Sequence, residues 1–458
     1  MTGQELLNQL NSQNAGGLFS TLYGKDDVES ARQRYHRLVE GFLQDEPGAF
    51  PRNEFPEVSG ELRVFSVPGR TELGGNHTDH NRGKVLAASI QLDAAAVAAP
   101  RADKKVFFRS TGHPDVKVDL SDLSPKEGEK GNTNALVRGI AAEFAAQGTP
   151  VNGFTANGDS MVLPGSGLSS SAAVEVLFAK IFDNLYCGGK RSALELAKIG
   201  QKAENVYFGK PCGLMDQTAC ASGGAVAIDF EDLSNPRVKQ IDFDPTAAGY
   251  ALCVVNTKGN HADLTPDYAA IPAEMKAAAA FFGKTVLREL NEETLLAGLG
   301  DLRKATGDRA ILRALHFYNE NRRVDAMLAA LESLNAHSAE KKGDARGDAI
   351  ETFLALVRES GDSSWEILQN IYSPKHPNEQ GVSLALALTK NFLKGHGACL
   401  GKHLGACRVH GGGFAGTIQA YIPLDRLEDY RKLMEGVCGK DALTVLRIRA
   451  LGATELVF

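Results

Sequence analysis

Leu163-Pro164-Gly165-Ser166-Gly167-Leu168-Ser169-Ser170-Ser171-Ala172-Ala173 is a run of small residues feeding a mostly apolar stretch that continues to Tyr186. Glycines let backbone N–H groups approach a ligand's oxygens, and the unsatisfied N–H groups and positive dipole end of a following helix favour negative charge. A phosphate fits such a turn. It is not the common nucleotide loop, because no lysine follows its last glycine. Taken alone, the segment fits an ordinary Gly/Ser turn opening a helix equally well.

Upstream, Pro68-Gly69-Arg70-Thr71-Glu72-Leu73-Gly74-Gly75-Asn76-His77-Thr78-Asp79-His80-Asn81 follows a strand-like run of Leu62, Val64, Phe65 and Val67 that Pro68-Gly69 closes. Sugar hydroxyls need several donors and acceptors in fixed directions, and this crowd of Arg, Glu, Asn, two His and Asp offers them. A solvated turn explains only part of it. Val85 to Ile90 and Ala94 to Ala99 read as two further short strands of a β-rich subdomain, and Asn134 to Gln147 as a helix. Still nearer the N-terminus, Tyr35, Leu38, Val39 and Phe42 are spaced as on a helix that Asp45-Glu46-Pro47-Gly48 stops.

Downstream of the turn, a second helix over Ala193 to Phe208 starts at a capping box of Ser192 and Glu195. Lys210-Pro211-Cys212-Gly213 then breaks the chain into a loop carrying Asp216, a carboxylate among apolar neighbours. Burial raises such a pKa, whereas a nearby arginine lowers it and keeps the group ionised as a base or orienter. An aspartate in a loop is more often a cap or turn residue. Strands at Ala225 to Phe230 and Tyr250 to Asn256 bracket a turn at Asn235-Pro236, and a domain boundary is expected near residue 245. Ala273 to Leu393 reads as mostly helical, and Arg408-Val409-His410-Gly411-Gly412-Gly413-Phe414-Ala415-Gly416-Thr417 is a second glycine-rich loop between strands.

The 458 residues, 43% of them hydrophobic, suffice for two packed domains with a cleft between them. A net charge of −6 gives no global basic field for nucleic acid or anionic membrane. No apolar stretch reaches the length of a signal or spanning helix, so a cytoplasmic protein is expected. Seven cysteines without a framework spacing point to reduced thiols. His396, Cys399, His403 and Cys407 could be drawn as a metal site, but the glycines between them favour turns.

Together the four segments, in order and spacing, resemble the motifs of galactokinases within the GHMP kinases, over most of the chain from about residue 30. The resemblance implies an α+β, two-domain GHMP kinase fold with the active site in the cleft. Residues 1–55 would form a helical extension, 56–245 the N-terminal kinase domain and 246–458 the C-terminal one. It implies ATP as co-substrate and Mg²⁺ as cofactor, with Ser171 and Glu204 as metal ligands and Gly165, Ser166, Gly167, Leu168, Ser169, Ser170 and Ser171 around the phosphates. Asp216 and Arg70 would be catalytic. Asn76, His77, Asp79, Gly213 and Tyr268, with Asp216, would bind the sugar. Galactose phosphorylated at C1 is the implied reaction, by a monomer with no nucleic-acid or membrane partner.

The chain departs from the family pattern in carrying Asn76 for a Glu that bonds a sugar hydroxyl, His80 for a Tyr, and Ala415 for a Gly. Thr133 and Leu136 stand where a Trp and a Tyr often flank the adenine. Loss of the Glu charge at 76 would remove repulsion toward a carboxylate at C6, making galacturonate or another C6 variant an alternative substrate. A non-catalytic galactose- and ATP-binding regulator is the alternative of another class. The intact Ser169 to Ala173 run and Asp216 favour an enzyme, and the sugar signature disfavours a mevalonate-type kinase.

Overall fold

The structure, a computed structural model, describes residues 1–43, 61–149, 151–162, 165–259, 264–338, 343–394 and 404–458. The expected helix stop at 45–48, the 55/56 boundary, Leu163-Pro164, and His396, Cys399 and His403 lie outside the described residues. Among the described residues no group of three His, Cys, Asp or Glu could hold a metal, and none of the helices is long and apolar enough to cross a membrane. The six cysteines among them are free.

Side chains that alternate between two cores along buried strands build the first sheet. In β1 (Arg63–Gly74) Phe65 and Val67 join one core and Val64 another; in β2 (Lys84–Pro100) Ala94, Ala96 and Ala98 face the first while Ala95, Val97 and Ala99 face the second. Both faces are covered, and the small alanines let helices approach closely from either side. β3 (Lys105–Ser110), β4 (Val116–Asp119), β5 (Phe154–Ser160), β6 (Ala225–Asp229) and β7 (Arg237–Ile241) extend this sheet. The helices Thr133–Ala146, Ser170–Tyr186, Ala193–Lys202 and Met215–Ser222 contribute to the first core. The N-terminal helices Gly3–Leu10, Gln13–Tyr23 and Val28–Leu43 build the second, with Phe19 stacked on Tyr35 at 5.1 Å.

A four-stranded antiparallel sheet of β8 (Tyr250–Asn256), β9 (Ala406–His410), β10 (Thr417–Pro423) and β11 (Leu443–Leu446) lies in the second half, in the order β11-β8-β10-β9. The long helices Asp308–Ser338 and Gly343–Ser363 pack on each other and reach both β1 and, from the second of them, β9. The last strand, β12 (Thr454–Leu456), returns to pair with β1, so residues from both sides of the expected 245/246 boundary share one sheet.

Four local expectations need correction. β1 does not close at Pro68-Gly69 but runs on to Gly74 through register shifts on either side of Arg70, so the missing proline N–H falls at an irregularity of the ladder. The two short strands are one 17-residue strand, β2. Its polar middle is held within the fold: Gln91 bonds Val445 O and Arg447 N, and Asp93 is ion-paired. The helix from Ala193, whose capping box is present, ends at Lys202 and continues as a π-helical segment over Ala203–Phe208. The helical half begins at Thr265, with Pro272 inside its first helix, Thr265–Phe281.

Candidate active site

The glycine-serine turn packs against the bulge in β1. Gly69 leaves no room for a Cβ, which would come within 2.7 Å of Leu168 O, and Arg70 N donates to the same carbonyl at 3.1 Å. Sugar signature and turn are thereby locked together by backbone contact. Ser169, the N-cap of Ser170–Tyr186, has left-handed backbone (φ 61°) and makes no side-chain cap to its own helix. Its hydroxyl instead donates to Asp216 Oδ2. The first N–H groups of this helix thus keep their capacity for an anion.

Asp216 was expected in a loop and stands instead in the first turn of Met215–Ser222. Its Oδ1 accepts from Arg70 Nε at 2.8 Å and Nη2 at 2.7 Å, while Arg70 Nη1 donates to Gly167 O. Burial alone would raise this carboxyl, but Arg70, the Ser169 hydroxyl and Lys210 outweigh it and hold the group below the usual aspartate value. Asp216 is therefore ionised at neutral pH, with 34% of its side chain open to solvent.

Arg70, Asn76, His77, Asp79, Gly213, Asp216, Tyr268, Ser171 and Glu204 all line one cleft of about 90 Å³, closed on one side by Gly411 and Gly412. His77, with positive φ, donates Nε2–H to Gly412 O at 3.0 Å. Burial, helped by the nearby His80, His316 and Arg313, pushes its pKa down to about 3, so the ring is neutral and its Nδ1 is an acceptor. Asp79 lies against Gly213, where a Cβ would sit 1.8 Å from Oδ2; only glycine permits that approach. The Tyr268 ring centroid is 5.1 Å from that of His77, and its hydroxyl meets His80 Nε2 at 3.2 Å.

Asn76 lines the cleft with its amide already engaged. It is 1% exposed, its Nδ2 donates to Gly411 O at 2.8 Å and Glu72 Oε1 at 3.1 Å, and its Oδ1 accepts from Asn370 Nδ2 at 2.9 Å. Asn81, the end of the signature, is buried away from the cleft and accepts from Leu287 N. Among the described residues of the turn only Ser171 lines the cleft; Ser166 is buried, its carbonyl accepting from Thr417 Oγ1 at 3.1 Å, and Leu168 is 3% exposed.

The π-helical segment turns Glu204 inward to 3% exposure, an arrangement common at functional sites. Its Oε1 is 3.4 Å from Ser171 Oγ and 3.2 Å from Lys210 Nζ; its Oε2 accepts from Gln217 Nε2 at 3.1 Å. Gln217 also donates to buried Glu175 at 2.9 Å, and burial followed by the Glu204 charge pushes the Glu175 carboxyl well above the usual range. Lys210, read from sequence only as part of a turn, is a cation of this cleft. Burial lowers its pKa, but Glu204 and Asp216 more than offset that. Glu72 and Arg408 are likewise missed, because their meeting joins β1 to β9 across 336 residues of chain.

Residues 135–224 match the family of GHMP kinases N-terminal domains, and residues 52–100 the galactokinase galactose-binding signature. A galactokinase of Glaesserella parasuis is 31% identical over 381 residues, spanning 81% of this chain and 88% of the relative. The chain belongs to the galactokinase family. A galactokinase of Actinobacillus pleuropneumoniae is 30% identical over 85% of this chain and 93% of its own length. Among solved structures, Lactococcus lactis galactokinase complexed with galactose superposes with a TM-score of 0.70 at 27% identity, covering 88% of this chain and 98% of that one. Methanococcus jannaschii mevalonate kinase, at 12% identity and a TM-score of 0.55, shares the α+β GHMP fold.

Proposed function

We propose that the protein transfers the γ-phosphoryl group of ATP to the anomeric hydroxyl of galactose. The observation that carries this reading is the Arg70–Asp216 pair, set between the uncapped start of Ser170–Tyr186 and the sugar signature on β1. Phosphoryl transfer asks mainly for positioning and charge stabilisation. The backbone of Gly165 to Ser171 and the following helix N-terminus receive the phosphates. Arg70 faces the transferring group while keeping Asp216 ionised. Oδ1 is filled by the two Arg70 nitrogens, but among the described residues Oδ2 accepts only from Ser169 and has a second lone pair, so Asp216 accepts a hydrogen bond from the C1 hydroxyl there without releasing Ser169 or Arg70. With its pKa depressed, it orients the nucleophile in the ground state and takes the proton as the new P–O bond forms. His77 Nδ1, Asp79 and Tyr268 fix the sugar's direction, with Gly213 admitting Asp79.

Ser171 Oγ and Glu204 Oε1 suit Mg²⁺: they are hard oxygen donors 3.4 Å apart, one anionic, both on the cleft wall. One carboxylate and a hydroxyl are too few for a protein cage but match the way Mg²⁺ is held jointly with substrate phosphates. Bound there, the ion would neutralise phosphate charge. Glu204→Gln is expected to raise the Mg²⁺ concentration for half-maximal rate roughly tenfold or more, leaving galactose binding by calorimetry unchanged. An unaltered Mg²⁺ dependence places the ligand elsewhere.

The geometry does not favour galacturonate. The Glu72 carboxylate lies 3.1 Å from Asn76 Nδ2, so negative charge is still present where its loss was expected. A coupled ADP-release assay over a panel of monosaccharides tests the reading. Galactose is expected to give the highest kcat/KM, with galacturonate at least roughly tenfold lower, which is ~1.4 kcal/mol of discrimination; a faster rate with another hexose would overturn the assignment.

A further inference from the structure

Glu72 is an acid of this cleft that the proposed reaction leaves without a task. It sits on β1 two positions from Arg70, is 2% exposed, and lines the same cavity as His77, Asp79, Asp216 and Tyr268. Its backbone is fixed, the carbonyl accepting from Gln419 Nε2 at 2.8 Å. Its Oε1 is held by fully buried Arg408 and by Asn76 Nδ2 at 3.1 Å, whereas among the described residues its Oε2 has only the long 3.4 Å contact with Asn76. One carboxylate oxygen is therefore clamped and the other is left with acceptor capacity, in a cavity lined by groups suited to hydroxyls.

We propose that Glu72 is a sugar-binding and specificity residue, its Oε2 accepting a hydrogen bond from one hydroxyl of the pyranose while Asn76 and Arg408 position it. Asn76 is thereby a positioning residue whose amide is turned toward Glu72. Burial raises the Glu72 carboxyl above its ordinary value although Arg408 and Arg70 oppose it, and the ion pair with Arg408 is the geometry of an anionic acceptor. An anionic acceptor binds a hydroxyl strongly and repels a sugar carrying a carboxylate at the same carbon. The plainer account, in which Glu72 only neutralises Arg408, explains the clamped oxygen but not the carboxylate's place in the cavity wall.

The inference rests on the galactokinase reading, and the two fail separately: without turnover of galactose by the unaltered protein the reading itself falls. Given turnover, kcat/KM is measured for galactose and each monodeoxygalactose in the wild type, in Glu72→Gln, and in Glu72→Gln/Arg408→Met. The paired variant leaves no buried charge unpartnered and carries the test should the single variant not fold. The expected result is a loss of roughly 10- to 100-fold on galactose, mostly in KM, which disappears for the one deoxysugar lacking the hydroxyl that Glu72 accepts. A loss equal across all the deoxysugars, or no loss, would overturn the proposal and leave Glu72 as the counter-ion of Arg408.

Discussion

Asp216→Asn is expected to lower kcat by about 10²- to 10⁴-fold or more, the range of a positioned general base, while the protein remains folded. Asparagine keeps the volume and an oxygen for Arg70 Nε, and Ser169 Oγ is able to accept from the new amide. What disappears is the anion that aligns the attacking hydroxyl and receives its proton. Arg70 also loses its counter-charge, but Gly167 O still accepts from it, so the turn stays docked on β1. Steady-state kinetics beside a thermal melt reads both effects. A variant within roughly tenfold of wild type, ~1.4 kcal/mol of barrier, would show that Asp216 has no essential role in proton transfer or charge.

The largest stability effect is expected at Asp93. This carboxylate lies inside β2 with no solvent exposure, 2.5 Å from Arg34 of the N-terminal extension and 3.1 Å from Arg449 near the C-terminus, and it accepts from Tyr23 OH at 2.7 Å. It ties both ends of the chain to the first sheet. Asp93→Asn leaves buried Arg449 facing a neutral amide, while Arg34 keeps Asp159, and breaking such a buried pair costs about 3–5 kcal/mol, a large part of a typical 5–15 kcal/mol stability. Urea titration at neutral pH measures this, and a loss under ~1 kcal/mol contradicts it. Burial raises the Asp93 carboxyl, but Arg34 and Arg449 overcome that and hold it below the ordinary value. Its contribution is therefore full above the unfolded carboxylate range and is lost as pH falls through the lower folded value. The gap between wild type and variant should narrow in acid.

Motif chemistry was readable from the sequence where it depends on neighbours along the chain. The turn at Gly165 to Ser171, the capping box at Ser192 and Glu195, and the strand Tyr250 to Asn256 each follow from local spacing, and each is present. Tertiary pairing was not readable. The apolar runs Val85 to Ile90 and Ala94 to Ala99 were legible but not their continuity, because the partners that hold Gln91 and Asp93 inside one strand, Val445, Arg447, Arg34 and Arg449, lie far away in sequence. Nor were the partners of Asn76 readable: the family resemblance placed it at the sugar, and it lines the cleft, but Glu72, Asn370 and Gly411, two of them far along the chain, hold its amide. The π-helical turn that aims Glu204 inward has no periodicity of its own to betray it.

The central claim is that this cleft makes a sugar phosphate at the anomeric oxygen. ³¹P NMR of the protein incubated with galactose, ATP and Mg²⁺ tests it most directly. The account predicts one new phosphomonoester signal, coupled to the anomeric proton and absent with Asp216→Asn. A phosphoester at another carbon, or galactose and ATP both bound but unreacted, would contradict it.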